Sequence, residues 1–264
     1  NYDYSFLFFA LIVSSVGSIV SYYQSDSIAL SLAKASPATR HTHPTYLNIV
    51  DNLSHVARIP VPKTYVIPSP ALNAFAIGRD PEHAAIAVTQ GAIDNMTRSE
   101  LEGVIAHELT HIKNYDTRLM TIVAILVGSI AMVLNWSWRF SSFGTKGRKN
   151  NDGEGSAILM VIGLILIILA PIIASLIQLA ISRRREFYAD AGSAMLTRQP
   201  SGLISALKKI AANEDITLDT ANTATAHMYI DDPVTTETHG SWLSKLFSTH
   251  PPIAERIKAL EGRL

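Results

Sequence analysis

Three long segments without a formal charge constrain this chain more than any other feature of its sequence. They run from 4 to 25, from 119 to 138 and from 155 to 182, with lengths of 22, 20 and 28 residues. Each exceeds the roughly 18 uncharged residues that mark a candidate membrane-spanning helix. We therefore predict an N-terminal transmembrane helix at 4–25 and a transmembrane helical hairpin over 119–182. A pair of buried core helices is the alternative for the last two segments.

Charge and cysteine content exclude several classes of protein. The 22 Lys and Arg residues balance the 22 Asp and Glu residues, so no net positive field attracts nucleic acid, and we expect no nucleic-acid partner. The chain contains no cysteine, which excludes a disulfide framework and a thiolate metal site. Any metal ion must therefore be bound by histidine and carboxylate side chains.

The hairpin prediction also fixes the domain organisation. The polar segments before and after it, 26–118 and 183–264, would lie on the same side of the membrane and form two parts of one domain. Basic residues near the ends of the apolar segments favour the cytoplasmic side by the positive-inside rule. The arginine run 183–185 is expected to lie at the lipid headgroups.

Hydrophobic periodicity divides the two polar segments into short elements. The first contains a helix, a small sheet and a longer helix with H-E-L-T-H, for which Thr97 or Ser99 is the N-cap. Three more helices are predicted after residue 182, and the polar stretch 213–248 is typical of a loop or lid. In the first polar segment we expect a helix at 44–56, strands at 63–68, 73–77 and 83–91, and the longer helix within 95–114, after its N-cap.

The H-E-L-T-H motif predicts a metal-dependent hydrolase. His107 and His111 are four positions apart on the predicted helix, so both imidazoles can bind one metal ion. Glu108 lies beside them, near the water that such a metal activates by lowering its pKa to about 7. We therefore predict one zinc ion per chain, with Glu108 as the general base that prepares the water to attack a peptide carbonyl.

A catalytic zinc site needs a third protein ligand and one position open for water. Glu186 and Asp190 are four apart on one predicted helix, at the same membrane edge as His111. Glu186 as the ligand gives a His, His, Glu set, and Asp190 could then accept the free ring N–H of a ligating histidine. The other candidate ligands are His227, His239 and His250.

Two other functions are compatible with a metal site in such a chain. A membrane scaffold would keep a structural zinc closed by a fourth protein ligand such as His227 or His250. A metal transporter would have polar ligands inside its membrane spans. The three uncharged segments contain no histidine, which argues against transport.

The motifs together resemble the HtpX-type integral membrane zinc metalloproteases, relatives of the CAAX prenyl endoproteases. H-E-L-T-H, E-F-Y-A-D after a hydrophobic hairpin, N-A-F-A and T-H-P-P-I-A-E-R-I lie between about Lys63 and Leu260. The resemblance implies a gluzincin fold, mainly α with a small β-sheet, fused to transmembrane helices. It also implies a cytosolic catalytic face in a prokaryotic plasma membrane, polypeptide substrates from damaged membrane proteins, and zinc on His107, His111 and Glu186.

The same resemblance suggests roles for the quieter motifs. The N-A-F-A segment would be an edge strand that binds an extended substrate, with an ordinary hairpin strand as the alternative. His250 could donate to the developing oxyanion, and Arg256 could pair with Glu186, with a helix cap and a surface salt bridge as alternatives. Relatives usually have two hydrophobic segments before the catalytic domain and only one is found here, so we expect an incomplete or divergent N-terminus. The N-A-F-A residues are Asn73, Ala74, Phe75 and Ala76.

Overall fold

The fold is described from a computed structural model that covers residue 17 and residues 22–122, 183–213 and 251–262. Within these ranges the chain is mainly helical, with one small mixed sheet. Among the helices so described, none is long and apolar enough to cross a membrane. Several predicted features lie wholly or largely outside the described ranges, namely the segments 4–25, 119–138 and 155–182, the stretch 213–248, and His227, His239 and His250.

The helices follow the predicted order closely. The predicted helix 44–56 is present, and the H-E-L-T-H helix begins at Arg98, directly after Thr97, one of the two predicted N-caps. A short helix at 90–95 replaces the end of the third predicted strand, because Thr89 ends that strand and its side chain accepts the Ala92 N–H. The helices are α1 Ser25–Leu32, α2 Pro44–Ala57, α3 Gln90–Asn95, α4 Arg98–Lys113, α5 Arg183–Thr197, α6 Pro200–Ala211 and α7 Ile253–Glu261.

In the part of the chain that the structure describes, the sheet has four strands in the order β1-β2-β4-β3. β4 runs parallel to β2 and antiparallel to β3, and β1 pairs antiparallel with β2. β3 is therefore a terminal strand, as predicted for 73–77, whereas the two-residue β1 was too short for a periodic pattern to reveal. The strands are β1 Ser36–Pro37, β2 Lys63–Ile67, β3 Ala74–Gly78 and β4 Ala84–Thr89.

Alternate residues of β3 and β4 face different layers, as the two-residue period of a strand requires. Ala74 and Ala76 belong to the main core, together with residues of α2 and α4. Phe75 and Ile77 face the other side of the sheet, where they join residues of α1. The sheet is therefore covered on both faces, and α4 lies on the face that receives Ala74 and Ala76.

A capping box starts α4. The Thr97 hydroxyl accepts the Glu100 N–H at 3.3 Å, and the Glu100 carboxylate accepts the Thr97 N–H at 2.7 Å. Such a cap stabilises a helix by about 1 kcal/mol. Lys209 of α6 donates to the same carboxylate at 2.7 Å, so the cap also connects α4 to α6.

α4 is the central helix of the domain and is enclosed by its neighbours. From Leu101 to Ile112 nearly every side chain is buried, against the main core and against α5 and α6. Two glycines allow the close approach: a Cβ on Gly103 would lie 2.6 Å from the backbone nitrogen of Leu203, and one on Gly192 would lie 2.4 Å from the Thr110 side chain. Polar side chains buried on such a helix need partners, because burial without them costs free energy.

Candidate metal centre

Three side chains on α4 and α5 form a compact cluster that could hold a metal ion. One ligand atom each from His107, His111 and Glu186 lies within 4.8 Å of the others. The two histidine Nε2 atoms are 3.1 Å apart, and each is 3.5 Å from an oxygen of Glu186. Ligand atoms in a tetrahedral zinc site with bonds of 2.0–2.1 Å are about 3.3 Å apart. The Glu186 carboxylate faces both imidazoles, with Oε2 nearest His107 and Oε1 nearest His111. The three side chains are therefore close enough to bind one metal ion.

The local structure explains why these atoms converge. His107 and His111 lie one helical turn apart on α4, with ring centroids 4.7 Å apart and an interplanar angle of 85°. Glu186 lies in the first turn of α5, which packs along α4. The three residues are 1%, 4% and 3% exposed. The cluster is therefore a preformed pocket of buried donors rather than a group of surface charges.

Asp190 and Arg256 lie behind the first histidine. Nδ1 of His107 is 2.9 Å from Oδ1 of Asp190, and Arg256 donates to both oxygens of Asp190 at 3.0 and 2.7 Å. The distance from Arg256 Nη1 to Glu186 is longer, 3.7 Å. The main partner of Arg256 is therefore Asp190, whereas the sequence suggested Glu186. Arg256 is 0% exposed, which excludes the surface salt bridge considered for it.

These contacts shift the pKa values of His107 and Asp190. Burial lowers the pKa of His107, but the hydrogen bonds with Asp190 and Glu186 outweigh burial and raise it to about 9. Burial raises the pKa of Asp190, but the Arg256 charge outweighs it and lowers the value to about 2. His107 thus keeps a proton when no metal is bound, and a metal ion has to displace that proton.

Asp116 lies behind His111 and was not predicted from the sequence. Its Oδ2 is 3.1 Å from Nδ1 of His111, and its Oδ1 accepts from Arg185. Arg185 belongs to the arginine run that we predict at lipid headgroups, and its guanidinium contacts Asp116. The available signal was an acidic residue five positions after His111 and three positions after the end of α4, the helix that carries both histidines.

Glu108 lies on α4 between the two histidines and is 2% exposed. Burial is the main reason that the pKa of Tyr46 is raised, and the charge of Glu108 adds to that effect. The same carboxylate contributes, after Asp190 and Glu186, to raising the pKa of Arg256. The charge of Glu108 therefore acts on Arg256, which contacts Asp190 beside His107.

The N-A-F-A segment is the start of the terminal strand β3, which contacts α4. The side-chain oxygen of Asn73 accepts the Ala74 N–H at 3.0 Å, and the Asn73 backbone pairs with Thr89. Asn73 thus has a structural use at the start of the strand. Ala74, Phe75 and Ala76 are buried. The segment as a whole lies next to α4, the helix that carries His107 and His111.

Fold and cluster together define a His, His, Glu metallopeptidase built on an H-E-x-x-H helix. The model of peptidase family M48 matches residues 40–264. Two proteins described as "Protease HtpX homolog" match nearly the whole chain. That of Dictyoglomus turgidum is 47% identical over 240 residues, 91% of this chain and 76% of its own length. That of Lactobacillus acidophilus is 42% identical over 266 residues, 99% of this chain and 87% of its own length.

A solved structure shares the fold. Ste24p of S. mikatae superimposes with a TM-score of 0.56 at 19% sequence identity, covering 97% of this chain and 58% of that chain. The chain belongs to peptidase family M48 and is a metalloprotease. The resemblance to HtpX-type proteases is thereby confirmed.

Proposed function

We propose that this protein is a membrane-bound zinc endopeptidase that hydrolyses misfolded or membrane-associated proteins at the cytosolic surface of the membrane. One observation carries the proposal: one donor atom each from His107, His111 and Glu186 lies within 4.8 Å of the others, close enough to bind a single metal ion. Two imidazole nitrogens and a carboxylate oxygen are the donor set of a catalytic zinc ion. A zinc ion held by His107, His111 and Glu186 would supply Lewis acidity to polarise a substrate carbonyl and to lower the pKa of a water.

The chain's own residues account for the remaining chemistry. Glu108 would accept the proton of the attacking water and then transfer it to the nitrogen of the leaving amine. Asp190, held by Arg256, would keep His107 oriented with its Nδ1–H towards the carboxylate. His250 would donate a hydrogen bond to the developing oxyanion. It directly precedes the buried Pro251 and the helix that carries Arg256.

The proposed membrane location follows from the position of the cluster in the chain. His111 precedes the uncharged segment 119–138 by eight residues, and Glu186 follows the segment 155–182 by four. Both ligands therefore lie within a few residues of a predicted membrane boundary. A site at that position would receive polypeptides that emerge from the lipid or lie on its surface.

Metal removal tests the proposed function. The full chain is expected in the membrane fraction, to need detergent for extraction, and to contain one zinc ion when purified. Casein cleavage should stop when a chelator removes the metal and return when zinc is added. Cleavage that continues in protein shown to be metal-free would contradict the zinc mechanism. Recovery without detergent from the soluble fraction would contradict the membrane location.

We further propose that residues 73–76 bind substrate as an added strand, since β3 ends the sheet beside the metal cluster. In the Glu108→Gln variant an extended peptide should remain bound without being cleaved. Hydrogen exchange should then slow over β3 and stay unchanged over β2, which β4 separates from β3 in the sheet. Equal exchange over β3 with and without bound peptide would contradict this placement.

A further inference from the structure

We infer that Asp116 is a positioning residue for His111, and that Arg185 holds Asp116 in place. The inference rests on the metal site proposed above and identifies what orients its second histidine. Asp116 is 5% exposed. A buried carboxylate of this kind is costly unless it is paired, and its two oxygens contact His111 and Arg185 respectively.

The contact with Asp116 selects one tautomer of His111. Nδ1 of the ring faces Asp116 at 3.1 Å, and Nε2 faces Glu186 at 3.5 Å and His107 at 3.1 Å. A carboxylate can only accept at neutral pH, so the proton of a neutral imidazole resides on Nδ1. The lone pair of Nε2 is then directed at the other two metal-binding side chains.

The backbone after α4 is shaped to place this carboxylate. α4 ends at Lys113, and the chain is helical again from Asp116. Between them Tyr115 adopts a left-handed conformation with φ of 61°, which costs a non-glycine residue about 1 kcal/mol or more. This turn changes the direction of the chain so that Asp116 lies against the last turn of α4, where His111 is.

Arg185 connects the same carboxylate to the other ligand-bearing helix. It is the third residue of α5 and the immediate neighbour of Glu186, and its Nη1 donates to Asp116 at 2.5 Å. Asp116 thus contacts a metal-binding histidine on α4 and the first turn of α5 at once. Loss of the Asp116 carboxylate would loosen both His111 and the helix start that carries Glu186.

The arrangement around His107 supports this reading, because it has the same chemistry. There Asp190 accepts from Nδ1 of His107, and Arg256 donates to Asp190. Each metal-binding histidine is therefore backed by an aspartate, and each aspartate by an arginine. Both histidines lie on α4, but Asp190 comes from α5 and Asp116 from the segment directly after α4. The repetition is therefore not a consequence of one local sequence pattern.

Zinc affinity of the purified full chain, measured by competition with a chromogenic chelator, tests the inference. Asp116→Ala should weaken zinc binding by about 10- to 100-fold, and Asp116→Asn by less, because Asn can still accept from Nδ1–H. Arg185→Gln should also weaken binding. In the Asp116→Ala, Arg185→Gln double variant the loss should equal that of Asp116→Ala alone, since Arg185 acts through Asp116.

Arg184→Gln is the matched control, because it removes the same charge from an exposed neighbour in α5, and its affinity should be that of the unmutated chain. The cobalt-loaded Asp116→Asn variant should also have an altered visible spectrum, which reports ligand orientation. Zinc affinities and cobalt spectra unchanged in both Asp116 variants, with only the melting temperature of the metal-free protein lowered, would overturn the inference and leave the metal site standing. Absence of zinc binding by the unmutated chain would overturn both.

Discussion

Glu108→Gln should lower casein cleavage by about 10²- to 10⁴-fold while the protein keeps its zinc ion. Glutamine has the shape of glutamate but cannot accept a proton from water at neutral pH. Glu108 does not belong to the group of three donor side chains, so metal binding does not depend on it. The rate of cleavage and the zinc content of the same preparation, measured side by side, check both halves of this expectation.

Glu102→Gln is the matched control for Glu108→Gln. Glu102 lies on the same helix, where its carboxylate pairs with the exposed Arg98 at 2.9 Å, outside the metal cluster. Its loss should leave both cleavage and zinc content close to those of the unmutated chain. Casein cleavage by the His250→Ala variant should be faster than that by Glu108→Gln and slower than that by Glu102→Gln. Its kcat should fall, whereas its KM should stay the same. Full cleavage by Glu108→Gln would remove Glu108 from the reaction.

The features that could be predicted from the sequence are those set by local spacing. The interval of four between His107 and His111 fixes a shared helix face, and the cap at Thr97 fixes where that helix starts. Glu186 and Asp190 were expected together for the same reason, since one turn of helix separates them. The strand 73–77 was assigned to the edge of the sheet, and it is the terminal strand there.

The features that could not be predicted depend on contacts between distant parts of the chain. Asp116 and Arg185 are 69 positions apart in the sequence, and Asp190 and Arg256 are 66 apart. No periodicity relates such residues, so the sequence pattern did not indicate that Asp116 pairs with Arg185. Arg256 was placed near the site by family resemblance, and only the packing of α7 against α5 made Asp190 its main partner.

Arg256→Ala should lower the free energy of unfolding by about 3–5 kcal/mol at neutral pH, because it leaves the buried Asp190 without its arginine. Arg256 contacts both oxygens of Asp190 and also approaches Glu186, and both carboxylates are buried. For a chain of this size the loss corresponds to a fall in melting temperature of about 6–20 °C. Thermal unfolding of the metal-free protein in detergent measures it. Zinc affinity should fall too, since Asp190 would no longer be held against His107.

Two further variants separate the buried pair from the docking of α7. Lys208→Ala removes the exposed ion pair between Lys208 of α6 and Glu261 of α7. Its loss should lower the free energy of unfolding by at most about 1 kcal/mol. Arg256→Met combined with Asp190→Leu replaces the buried pair with apolar side chains and should recover much of the stability. Zinc affinity should stay low in that double variant, because His107 has lost the carboxylate behind it. A double variant as unstable as Arg256→Ala would show that the guanidinium supports the fold through contacts other than Asp190.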